Sequence, residues 1–225
     1  MCGRYVRRGS AETVSHWFDI EPDDLPVFSP SYNVCPQTAQ PVVRLNRESG
    51  RRELTLMRWG LIPYWSKDAK IGLSTINAKG ETIATSAVFR EAFRRRRCLI
   101  PADLFYEWQK LDPKTRQPYA IGMGDGRPYA FAGLWERWKD KATGLPLETY
   151  TIITTDPNEL VEPIHNRMPV ILDPKDYSRW LEPGEASHLP IDLLRPYPAD
   201  KMTAWKVDPA VGNVRNDRSE LIEPI

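Results

Sequence analysis

Only three cysteines occur in this chain of 225 residues, Cys2, Cys35 and Cys98, and no two of them form a C-x-x-C pair. Neither a disulfide framework nor a zinc site is therefore indicated. The three histidines, His16, His165 and His188, are too scattered to suggest a metal centre by spacing, and no metal or cofactor is expected. No apolar run is long enough to cross a bilayer, and Arg4, Arg7 and Arg8 are followed by no signal-peptide core, so a cytoplasmic location away from membranes is expected. Charge of one sign is missing as well. Lys+Arg 31 against Asp+Glu 30 leaves a formal net charge of +1, so any nucleic-acid surface has to be a local patch. Repeats and low-complexity linkers are absent, and the 21 prolines and 13 glycines break the chain into short elements. One domain over residues 1–225 is the simplest reading.

Patterns of strand type outnumber those of helix type. Runs rich in β-branched and aromatic residues cover 3–7, 42–45, 53–59, 98–100, 104–108, 119–123, 129–135 and 149–154. Gly124-Asp125-Gly126 reads as a hairpin tip between two of them. Ser10 can cap a helix that turns Ala11, Val14, Trp17 and Phe18 to one face, and Ser86 a second with Val88, Phe89, Ala92 and Phe93. A third follows Asp173-Pro174, with Tyr177, Trp180 and Leu181 inward. Strands that follow one another without intervening helices predict an α+β fold with a curved, largely antiparallel, barrel-like sheet flanked by a few helices.

Cys2 is the residue with the most chemistry. Once Met1 is removed, its α-amine (pKa about 7.7–8.0) and its thiol (about 8.5) form a 1,2-aminothiol, both groups titrating near neutrality. Such a group can capture an aldehyde twice, first as a Schiff base and then by thiol attack on the same carbon to close a thiazolidine; the bland alternative is the second residue of a first strand. In Leu104-Phe105-Tyr106-Glu107-Trp108, alternation puts Glu107 on the face of Phe105 and opposite Tyr106 and Trp108. Desolvation there would raise its pKa toward that of a general acid, unless it is simply a solvated strand carboxylate. His165 sits beside Asn166 and Arg167 in a proline-bracketed loop, as a functional or a merely hydrogen-bonding imidazole. Asn77 and Lys79 precede the Ser86 helix and fit either a phosphate-binding turn or an ordinary one. Trp65, in a loop with Tyr64, can stack on a base or pack inward; Trp59 reads as core. Arg94 to Arg97 reads as a solvated basic helix end that complements the helix dipole.

Met1-Cys2-Gly3-Arg4, Tyr32-Asn33-Val34-Cys35-Pro36, Arg58-Trp59-Gly60, Ile76-Asn77-Ala78, Cys98-Leu99-Ile100-Pro101-Ala102-Asp103, Phe105-Tyr106-Glu107-Trp108 and His165-Asn166-Arg167-Met168-Pro169 follow one another in this order. The series resembles the SRAP family, the SOS-response-associated peptidase-like proteins, from residue 2 to Val211-Gly212-Asn213. The resemblance implies recognition of abasic sites in single-stranded DNA and a covalent crosslink through Cys2 that shields the lesion. It further implies that Glu107 is the acid/base for ring opening and imine chemistry, that His165 shuttles protons in crosslinking and reversal, and that Asn77 orients the Cys2 amine or the sugar. Arg4, Lys79 and Arg167 would hold phosphates, while Asn33, Pro36, Trp65 and Trp108 would shape the nucleotide channel.

Two departures from the family pattern stand out. Lys79 takes the place of a common arginine, keeping charge but losing bidentate geometry, and Leu104 replaces a usual glycine before Phe105. The sequence ends at Ile225 without a tail, like the compact bacterial-type members, which implies a cytoplasmic, nucleoid-associated monomer and names no replication or repair partner. Two other functions remain open: a thiol autopeptidase with Cys2 as nucleophile and His165 as base, and a non-covalent single-strand binding module.

Overall fold

A computed structural model describes residues 2–22, 24–184 and 188–225, so the Met1 that precedes Cys2 lies outside the described residues. In chain order the strands are β1 (Tyr5–Arg7), β2 (Ser31–Val34), β3 (Ala39–Leu45), β4 (Arg52–Trp59), β5 (Asn77–Lys79), β6 (Arg97–Ala102), β7 (Leu104–Lys110), β8 (Arg116–Met123), β9 (Tyr129–Lys139), β10 (Pro146–Thr155), β11 (Met168–Pro169), β12 (Ile171–Leu172) and β13 (Met202–Lys206). The α-helices among the described residues are α1 (Ala11–Phe18), α2 (Arg90–Arg95) and α3 (Tyr177–Leu181).

Strands β10, β4, β3, β6 and β9 follow one another, and β9 pairs again with β10, which closes a five-stranded barrel. Its seams are antiparallel except that between β4 and β10, which run parallel with Thr149 opposite Arg58 and Tyr150 opposite Trp59. A second, antiparallel sheet has the order β13-β8-β7-β1-β2. The α+β architecture with a curved, largely antiparallel sheet is therefore the one observed. Alternation along β9 explains why it is buried on both faces. Tyr129 and Phe131 point into a core with Cys98, Ile100, Tyr150 and Ile152, while Ala130, Ala132 and Leu134 pack outward with Phe93, Tyr177 and Trp180 from the helices. The first core also takes Phe105, Ile121 and Met123 from the second sheet, so that sheet lies against the barrel and shares its interior.

Four local expectations need correction. Gly124-Asp125-Gly126 is a tight turn, with the Gly126 N–H donating to Met123 O at 3.0 Å, yet β8 and β9 belong to different sheets, so it joins the sheets and makes no hairpin. The second helix begins at Arg90, because Ser86 to Phe89 is spent in a turn. Ser10 caps α1 as read, but Trp17 is 48 % exposed while Ala11, Val14 and Phe18 are buried. Arg97 is 4 % exposed, not part of a solvated helix end, because its guanidinium donates to Phe93 O (2.6 Å), Trp180 O (2.6 Å), Arg94 O (3.2 Å) and Glu182 O. It closes the carbonyl ends of α2 and α3 together.

Gly60 fixes the exit from β4. Its φ is +119°, and a Cβ there would lie 2.3 Å from Gly72 O and 2.4 Å from Gln37 Nε2, so no side chain fits. Gln37 bridges Trp59 O and Gly72 O at 3.1 and 3.0 Å, and the Trp59 indole N–H donates to Ile76 O at 2.8 Å. These bonds lock the loop from Leu61 to Thr75 against the barrel and deliver β5, beginning at Asn77, beside β10.

Candidate active site

The candidate reactive groups come from four separated segments. Cys2 is fully buried within the core shared by the barrel and the second sheet, and its thiol faces Arg4 O at 4.0 Å. Burial pushes the thiol well above its ordinary value, and the nearby Glu107 charge adds to this. Glu107 lies on β7 opposite Tyr119 and is 2 % exposed. Burial is the largest influence on it, raising its carboxyl to about 7, so near neutrality it can give or take a proton. Alternation puts Phe105 into the shared core and sends Tyr106 and Trp108 to the opposite cluster, which explains the isolation of this carboxyl from solvent.

Leu104 does not disturb that strand. It pairs across β7 and β8 with Gly122, where a Cβ would lie 2.5 Å from Leu104 Cδ2, so the missing side chain of Gly122 accommodates the added one.

His165 stands in the loop between β10 and β11, 58 residues after Glu107, with Nε2 3.9 Å from Glu107 Oε2. His165 Nδ1 lies 3.1 Å from the Arg167 backbone N and 3.2 Å from Arg167 O, so it accepts from the one or donates to the other according to the tautomer of the ring, while Nε2 faces Glu107. Burial lowers its pKa below the usual imidazole value. The loop is built by Asn158, which sequence reasoning missed. Its Oδ1 accepts from the Val161 N–H at 3.0 Å, its Nδ2 donates to Tyr197 O at 2.7 Å, and the His165 N–H then donates to Val161 O at 2.9 Å. Asn after Asp156-Pro157 carried a turn signal, but not its buried anchor.

Asn77 opens β5 opposite Ile152, a member of the core that holds Cys2. Its Nδ2 donates to Ile76 O at 3.0 Å, whereas its Oδ1 is buried and accepts no hydrogen bond among the described residues. An unused buried acceptor is suited to an ammonium or a sugar hydroxyl.

The residues expected to line a nucleic-acid channel divide into two groups. Arg167 lies two residues after His165, Lys79 is exposed at the end of β5, and Trp65 is 50 % exposed in the loop after Gly60. Pro36 is half-buried. Arg4 and Asn33 are engaged in structural hydrogen bonds. Arg4 donates to Asn33 Oδ1 and Val211 O at 3.0 Å each, and Asn33, 4 % exposed, donates to Val211 O, Asn213 O and Asn216 O. Together they clamp the 211–216 segment over β1 and β2. Trp108 packs on the face of β7 away from Glu107, against the cluster of Val6, Tyr106 and Val211.

The order and content of these segments can be set beside known proteins. A model of the SOS response associated peptidase family, SRAP, matches residues 1–214. The chain belongs to the SRAP family. It is 44 % identical over 226 residues to the abasic site processing protein YoqW of Bacillus subtilis, covering 99 % of both chains. It is 33 % identical over 261 residues to the abasic site processing protein HMCES of Pongo abelii, covering 100 % of this SRAP chain and 72 % of that protein. A crystal structure of a protein from Bacteroides thetaiotaomicron superposes with a TM-score of 0.89 at 27 % identity, covering 100 % of both chains. Among the described residues of this SRAP protein, no helix is long and apolar enough to cross a membrane.

Proposed function

We propose that this SRAP protein, read as one domain over 1–225, senses abasic sites in single-stranded DNA and captures them covalently through Cys2 after Met1 is removed. The relatives named for abasic site processing support the substrate, and the observation that carries the chemistry is the buried Glu107 carboxyl, poised at about 7, with the His165 Nε2 3.9 Å away. As the sugar opens to its aldehyde, Glu107 gives a proton to the ring oxygen and takes up the proton of the anomeric hydroxyl. The Cys2 amine attacks that carbon, and a proton from Glu107 lets the hydroxyl leave as water, giving the imine. The Cys2 sulfur then adds to the same carbon while its proton passes to nitrogen, so that one C–N and one C–S bond form and one water is released. Asn77 Oδ1 accepts a hydrogen bond from the attacking amine, and the proton that the nitrogen loses as the imine forms returns to Glu107 through His165, so the carboxyl ends as it began.

Burial supports this order of events over a peptidase. A thiol held protonated is a poor first nucleophile toward a peptide carbonyl, whereas it can close a ring on an imine already formed beside it. A cytoplasmic monomer acting at the nucleoid suits such a reaction. Mature protein incubated with abasic single-stranded DNA is expected to give a heat-sensitive shifted band on a denaturing gel, with intact mass equal to the sum of the partners less one water. No adduct with the wild type, or an undiminished adduct with Cys2→Ala, overturns the proposal.

A further inference from the structure

Arg167 is one of the cations expected to hold a phosphate, yet its guanidinium is already gripped. Nη1 lies 2.6 Å from Glu81 Oε1 and 3.1 Å from Asp156 Oδ1, and Nη2 lies 3.0 Å from Glu81 Oε2 and 2.8 Å from Thr154 O. The two bonds to Glu81 use the paired N–H groups that a phosphate would also take. Lys79, the other cation of this corner, adds to the field on the same carboxylate; the Arg167 hydrogen bond dominates and holds Glu81 below the usual range. Two carboxylates, Glu81 and Asp156, thus face the Arg167 guanidinium. A DNA phosphate that takes the paired N–H groups of Arg167 must displace Glu81.

Resting on the reading of this site as a DNA trap, we propose that Glu81, assisted by Asp156, is a specificity-determining counter-ion that keeps Arg167 from holding undamaged DNA. Every stretch of single strand carries phosphates, whereas only a lesion carries an aldehyde. A cationic grip left open would retain the protein on any strand. A grip occupied by its own carboxylate binds weakly until the covalent bond forms, so retention follows the aldehyde. Glu81 is well suited to this exchange because its side chain is 47 % exposed while that of Arg167 is 15 % exposed. The carboxylate can swing into water as the phosphate enters.

Fluorescence anisotropy with undamaged single-stranded DNA, titrated with salt, tests this. Glu81→Gln is expected to bind roughly three- to fivefold more tightly than the wild type. Its slope of log K against log salt should be steeper by about 0.7, the increment for one more phosphate neutralised on a single strand. Asp156→Asn should move in the same direction and less. Adding Arg167→Ala to Glu81→Gln should remove the gain. Unchanged or weaker binding by Glu81→Gln would show that the carboxylate only positions Arg167, and a gain that survives Arg167→Ala would reduce it to a general charge effect; either overturns the proposal. Adduct formation on abasic DNA is read separately in the same proteins, so failure of the crosslink leaves the anisotropy result standing on its own.

Discussion

Two buried charges in this molecule, Glu107 and Arg97, show opposite uses of the same expense. Arg97 enters β6 with its guanidinium surrounded by four backbone carbonyls and close to the Phe93 and Trp180 rings, and although burial lowers its pKa to about 10 it stays charged at neutral pH. Its donors are committed to tying α2 to α3. Glu107 is buried to a similar degree, but it faces a second titratable group, His165, and burial brings its pKa to about 7. A buried ion matched by fixed carbonyls stabilises a fold, whereas one held near its titration point beside another proton carrier can do chemistry.

The largest expected effect comes from neutralising the second of these. Glu107→Gln should slow adduct formation by about a hundredfold or more. It should also stabilise the protein at high pH. The folded carboxyl keeps its proton up to about 7 while the unfolded one releases it near 4.5, so the folded state binds more protons in that window and stability falls as pH rises through it. That interval corresponds to about 3 kcal/mol at full ionisation. Thermal melts at pH 4 and pH 8 should therefore coincide more closely for Glu107→Gln than for the wild type; an equal pH dependence would remove the contrast with Arg97.

Arg97→Met should do the reverse, lowering stability by about 3 kcal/mol or more because several buried carbonyls lose their donor. Denaturant unfolding measures this, and adduct formation per folded molecule should remain near wild type. Gly60→Ala sharpens the comparison by damaging the scaffold that carries Asn77. The clash with Gly72 O and the positive φ together should cost about 2 kcal/mol, and slower crosslinking is expected with Cys2, Glu107 and His165 all intact. The smallest effect belongs to Trp65→Ala, which should weaken single-strand binding by about 1–2 kcal/mol in anisotropy while leaving the melting temperature unchanged, since half of the side chain is already in water.

Much of the candidate site was legible in the chain because its placement rests on local rules. Alternation separates Glu107 from Trp108, and the aminothiol of Cys2 follows from covalent connectivity once Met1 leaves. What could not be read were relations between distant segments. Nothing in Glu81-Thr82 or Asp156-Pro157 announces that both carboxylates converge on Arg167, and nothing in the run Arg94 to Arg97 distinguishes the one arginine that turns inward. Nothing near Arg4 or Asn33 announces that both also clamp Val211, 207 and 178 residues further on.

The sequence by itself determined which residues can react and which face of each strand they occupy, because side-chain period and covalent chemistry act over a few residues. Only the tertiary structure decided their company. The parallel seam of β4 with β10 and the docking of β5 beside it place Asn77 next to the shared core, and the Asn158-anchored loop brings His165 to Glu107. Those pairings depend on closing the barrel and burying its two cores, a long-range balance of hydrophobic contact and chain entropy that no local pattern encodes.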